Sequence, residues 1–146
     1  MLRYSDWPER LTMFLAKRDT TPLEWGKSDC CLFSGDAIQA MTGADPAHFF
    51  RGKYKSLKEA YKLLRKFAGG GIEQTCKKIA MDMGYKQISI RQVGAGDLVL
   101  LDVENVHPDA KGLTMAVMAS DKIAVAQGKD ALVYIEAPDL RYAWHI

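Results

Sequence analysis

The chain predicts an α+β domain, with helices in its first half and an antiparallel sheet in its second. Two observations carry this. Up to Met83 the apolar residues recur at helical spacing, and the segments are bounded by capping and stop residues. After Gly84 the period shortens to β-type runs separated by turn residues. That order places the helices on a sheet built from the C-terminal half. At 146 residues the chain fits a single domain, 1–146, and can bury a core without disulfide staples.

The first helix is expected near the start. Asp6 with Glu9 three residues later has the spacing of a capping box, Pro8 suits a first turn, and Trp7, Leu11, Phe14 and Leu15 share a face. Arg18 to Pro22 reads as a loop. The second helix is expected from about Asp29 to Met41, with Gly43 as its stop and Phe33, Ala37 and Met41 facing the core. Asp45-Pro46 opens a short helical turn carrying Phe49 and Phe50. Ser56 and Glu59 form another capping-box pattern, for a helix through Leu57, Ala60, Tyr61 and Leu64 that Gly69-Gly70-Gly71 ends. A fourth helix covers Ile72 to Met83, stopped by Gly84.

The β-type runs are Tyr85–Ile90, Leu98–Leu101, Leu113–Met118, Ile123–Ala126 and Ala131–Ile135, with Tyr142–Ile146 as a closing strand. Gly94-Ala95-Gly96-Asp97, Ser120-Asp121-Lys122 and Gln127-Gly128-Lys129-Asp130 are the turns between them. Together they read as a meander. Neither Gly69-Gly70-Gly71 nor Gly94-Ala95-Gly96 is a phosphate loop, since both lack the lysine and hydroxyl residue that loop requires.

Composition excludes several classes. A net charge of +2 is too small to argue for a nucleic-acid partner. No apolar run approaches the roughly 18 residues of a membrane span, and the N-terminal residues do not read as a signal peptide. The three cysteines, two of them adjacent, make no disulfide framework. They have no metal-ligand spacing with the histidines, so neither a metal nor a cofactor is expected.

Cys30 is the candidate for chemistry. It falls in the first turn of the second helix, where unpaired backbone N–H groups favour a thiolate. A thiol nucleophile also needs a base, normally an imidazole. Of His48, His107 and His145, only His107, in the loop before the Leu113 strand, is placed to swing toward Cys30. The plain alternative for Cys30 is a buried helix cysteine that packs as a small apolar residue. The span Arg51 to Lys66 carries seven basic residues against one acidic, Glu59. On its helix Lys58, Lys62 and Arg65 or Lys66 share a face, read as lying opposite Leu57, Tyr61 and Leu64. That face is either simply solvated or meets an acidic partner subunit, an anionic wall polymer or DNA.

The order of Trp25-Gly26-Lys27-Ser28-Asp29-Cys30, then Gly52-Lys53-Tyr54, then Gly96-Asp97-Leu98-Val99 opening a strand, then Ala143-Trp144-His145-Ile146, resembles the NlpC/P60 group of papain-like cysteine peptidases. It looks closer to a phage branch of small proteins encoded with tail-tip genes. The resemblance implies an NlpC/P60 papain-like fold and gives Cys30 the nucleophile position. It puts the base at the start of the Leu113 strand, where this chain has Thr114, and Gln127 is the nearest polar candidate for the orienting residue on the next strand. It therefore implies a peptidase-derived fold without a complete triad, serving as a structural or assembly component of a tail tip or baseplate hub. Its partners would be other tail-tip proteins and peptidoglycan, and its place the virion after synthesis in the host cytoplasm. The alternative is an active hydrolase of peptidoglycan cross-links acting during genome delivery, with Cys30 as nucleophile and His107 as base.

Overall fold

The computed structural model describes residues 3–107 and 110–146, without the side chains of 104–107, 110 and 111. Four helices precede six strands: α1 (Trp7–Arg18), α2 (Cys30–Thr42), α3 (Leu57–Ala68), α4 (Ile72–Met83), β1 (Lys86–Ile88), β2 (Leu98–His107), β3 (Ala110–Met118), β4 (Ile123–Gln127), β5 (Leu132–Glu136) and β6 (Asp139–His145). The strands form one antiparallel sheet in the order β1-β6-β2-β3-β4-β5. The architecture is α+β, as the change of period implies.

Local signals set the helix ends. The Asp29 carboxylate caps α2 by accepting from Leu32 N–H, and Gly43 closes it in the left-handed region at φ 82°. α4 keeps its expected bounds. At α3 the Ser56 hydroxyl accepts from Glu59 N–H at 3.2 Å, but the Glu59 carboxylate takes Lys55 N–H at 2.7 Å, one residue outside the reciprocal box. Ser56→Ala should therefore cost about 1 kcal/mol, read as a lower urea midpoint at unchanged slope.

Three expectations need correction. Asp6 does not cap α1 with its side chain, because its carboxylate is drawn to Arg10 Nε at 2.7 Å. The Asp45-Pro46 segment forms turns rather than a helix, with Asp45 gripping Ala47 N–H and the Arg51 guanidinium. The strand after Gly84 stops at Ile88 and gives way to a 3-10 turn, Ile90–Gln92, capped by Ser89.

The sheet is also not a simple meander. β2 to β5 run that way, but β6 crosses back to pair with both β2 and β1, bringing Trp144 opposite Leu98 and Gln87. β2 and β3 extend well past the expected limits, so His107 ends a strand, paired with Ala110, instead of lying in a loop.

α2 is buried almost all round and packs Leu32, Phe33, Ile38 and Met41 against Leu98, Leu100, Met115, Val117 and Trp144. The alternate residues of the central strands form a second cluster on the other face. There Val99, Leu101, Ala116, Met118, Ala124, Ala126 and Ala143 are inaccessible to solvent. All of these come from strands, and Ile88, Val93, Val103, Ile135 and Leu140 pack against them half-buried. Burial on both faces explains why Leu98 to Leu101 is an unbroken apolar run.

Candidate functional site

The start of α2 is assembled from two distant sequence motifs. Gly26 sits at φ +81° and donates its N–H to Asp29 Oδ2 at 2.9 Å, while its carbonyl accepts from Gly52 N–H at 2.9 Å. The Tyr54 hydroxyl donates to the same Asp29 oxygen at 2.5 Å, and Leu32 N–H donates to Oδ1 at 3.1 Å. Asp29 is 1% exposed, so its charge is held by three donors in place of water. The Trp-Gly-x-x-Asp-Cys and Gly-x-Tyr motifs are thus two halves of one structure. This fixes the first turn of α2, and with it Cys30.

Cys30 is half-buried on the wall of a largely apolar cavity of about 320 Å³. Trp25, Leu57, Tyr61, Ile72 and Leu113 supply much of its lining, with Thr114, Glu73 and Gln74 as polar neighbours. The thiol meets the Thr114 side chain, Met115 backbone and Cys31 backbone, all in hydrogen-bonding relation to its sulfur. Burial, and then the Asp29 charge, push the thiol up from 9.0 to about 11, and those hydrogen bonds offset only part of the rise. Of the two readings of Cys30, this environment weighs toward the buried helix cysteine and against the thiolate. Desolvation and the capping carboxylate outweigh the helix dipole, leaving roughly one thiolate in 10⁴ at pH 7.

A pH effect follows. In the folded chain Cys30 holds its proton between pH 9.0 and about 11, whereas the unfolded chain releases it. The folded pKa is raised, so the contribution is fully present below pH 9 and is lost as pH rises toward 11. Cys31 and Cys76 are buried and also raised. The test therefore compares wild type with Cys30→Ala, in which unfolding free energy should fall less steeply across that window.

Thr114, the residue at the expected base position, does stand beside Cys30 and is 5% exposed. The imidazoles lie elsewhere or outside the description. His48 is exposed on the turn after α2. His145 Nδ1 contacts the buried Asp97 carboxylate at 2.9 Å, beside Arg3 at 3.0 Å, so it belongs to a polar network away from Cys30. The His107 side chain lies outside the described residues, and its backbone ends β2, six residues beyond the partner of Thr114, Leu101. Among the described residues no histidine lines the cavity. Gln127 does not orient a base there either. Its buried amide donates to the carbonyls of Thr21 and Gly128, pinning the loop after α1.

Sequence reasoning missed Glu73, Gln74 and Tyr61 as cavity neighbours, because only the packing of α3 and α4 brings them to α2. Arg51 leaves the basic stretch to pair with Asp36 and Asp45. Among the described residues no group of three or more His, Cys, Asp or Glu side chains is arranged to hold a metal ion, and no helix is long and apolar enough to cross a membrane.

Fold and site together define an α+β domain whose central helix presents a half-buried, protonated cysteine to an apolar cavity. The model of the family described as a domain of unknown function, DUF6950, matches residues 2–146, and the chain belongs to that family. Among curated proteins none matches the chain.

Proposed function

We propose that this protein is a structural or assembly component of a phage tail tip or baseplate hub, built on an NlpC/P60-like, peptidase-derived fold that lacks a complete catalytic triad. The observation that carries the loss of catalysis is the side chain facing Cys30, which is Thr114. A hydroxyl with an ordinary high pKa cannot withdraw the thiol proton near neutrality or return one to a leaving group. The order of the motifs around Cys30 supports the descent, and the resemblance to small tail-associated proteins supports the setting. Binding to neighbouring subunits then becomes the work of the surface around the old nucleophile position. Mixing the purified chain with tail-tip subunits and recovering a stable complex tests this, as does finding the chain in virions. No complex, together with absence from virions, would remove the assembly reading.

One observation favours a second reading, an active peptidoglycan hydrolase. Cys30 opens onto a cavity that a substrate could enter, and on this reading backbone N–H groups near Cys30 would serve as the oxyanion donors. In that case His107 would have to reach Cys30 and act as its base.

A further inference from the structure

We propose that the cavity at Cys30 and the basic stripe of α3 form one docking groove, whose occupant is an acidic protein segment carrying an apolar anchor side chain. This deepens the assembly reading and rests on it.

The cavity does not end at Tyr61. A second, shallower depression shares Leu57, Tyr61 and Gly71 with it and adds Lys58 and Arg65. The basic stripe therefore borders the apolar wall, where the sequence reading had it opposite. Helical geometry agrees, since Lys58, Lys62 and Arg65 lie roughly 100° round α3 from Leu57, Tyr61 and Leu64.

These cations are also unspent. Most other arginines of the chain are paired: Arg10 with Asp6, Arg18 with Asp36, Arg51 with Asp36 and Asp45, Arg141 with Asp102. On α4, Lys77 pairs with Glu73 and Lys78 with Asp82. Among the described residues Lys58, Lys62, Arg65 and Lys66 have no carboxylate within ion-pair distance. The one acidic residue of α3, Glu59, is used on the Lys55 backbone. Like charges four residues apart repel, and an acidic partner relieves that repulsion. Two carboxylates line the cavity and would oppose such a partner, but both are engaged: Lys77 sits 3.2 Å from Glu73, and Asp29 is held by three donors.

Shape favours protein over nucleic acid. About 320 Å³ of mainly apolar space accepts a large side chain. Of the aromatics described at this groove, Tyr61 is 43% exposed and Trp25 is half-buried in the cavity wall. A base-binding surface needs successive rings on which bases stack, and Tyr54 is turned inward onto Asp29.

The test uses the full ¹⁵N-labelled chain and three probes: acetyl-Glu-Glu-Leu-Glu-Glu-amide, its counterpart with Gln for every Glu, and a thymidine octanucleotide. The acidic peptide should give saturable amide shifts at Leu57, Tyr61, Ile72, Leu113 and Thr114, with the Gln peptide at least fivefold weaker. Combining Lys58→Glu with Arg65→Glu, both exposed and unpaired, should weaken the acidic peptide at least tenfold while leaving the spectrum of the core unchanged. The proposal is overturned if the acidic peptide causes no shifts at millimolar concentration, or if the Gln peptide binds equally. It is also overturned if the oligonucleotide shifts α3 while Leu113 and Thr114 stay still, which would mark a nucleic-acid surface. Peptide binding without any tail-tip complex would end the assembly reading and leave the groove standing. A complex that forms without peptide binding would place assembly on another face.

Discussion

Gly26→Ala is expected to cost on the order of 4 kcal/mol of folding stability. An added Cβ would lie far inside van der Waals contact with the Tyr54 carbonyl oxygen, 2.1 Å away, and φ is +81°. The left-handed conformation alone accounts for about 1–2 kcal/mol in a non-glycine residue. The clash adds the larger part, because relief requires moving backbone that is tied down on both sides. Gly26 N–H is committed to Asp29 and its carbonyl to Gly52, so a shift also loosens the three-donor cradle of a buried carboxylate. Gly52→Ala is the matched control. It too has a positive φ, 69°, but nothing lies within 4 Å of its added Cβ, so about 1 kcal/mol is expected. Urea unfolding of both variants checks the pair, and equal losses would refute the close approach as the cause.

The second large effect concerns reactivity. Thr114→His should place an imidazole beside Cys30 and bring the thiol from about 11 back toward its ordinary value. A fall of 1–2 units raises the thiolate fraction at pH 7.5 by about 10- to 100-fold, and alkylation by iodoacetamide should accelerate nearly in proportion. The adjoining cavity of about 320 Å³ gives the larger ring room. Mass spectrometry of the modified peptide separates Cys30 from the buried Cys31 and Cys76. Unchanged alkylation in a folded variant would show that Thr114 does not occupy the position of a base.

Reading the sequence located what is decided locally. Asp29, Ser56, Gly43, Gly69 and Gly84 mark helix ends because a cap acts within a few residues, and all five do so in the fold. Asp6 shows the limit of that logic: its capping spacing is correct, yet Arg10 competes for the same carboxylate and wins. Strand pairing is not local. Nothing in Tyr142 to Ile146 says that β6 will insert between β1 and β2, because alternation records which face is buried and not which strand lies alongside.

The site divides the same way. Placing Thr114 beside Cys30 followed from the resemblance, since the spacing of the two residues alone carries no such information. The state of the thiol could not be read at all. It depends on the desolvation and the Asp29 charge that Tyr54, 25 residues away, helps to hold in place. The helix start looked like a device for making a thiolate, but in the folded chain its capping carboxylate works against one.

The central claim, that Cys30 marks an inherited nucleophile position and does not act as one, is tested most directly by peptidoglycan release. Purified wild type and Cys30→Ala are incubated with cell-wall sacculi at neutral pH, and soluble fragments are measured over time. The account predicts the same background release from both. Release by wild type that Cys30→Ala abolishes, with both proteins folded, would contradict it and restore the hydrolase.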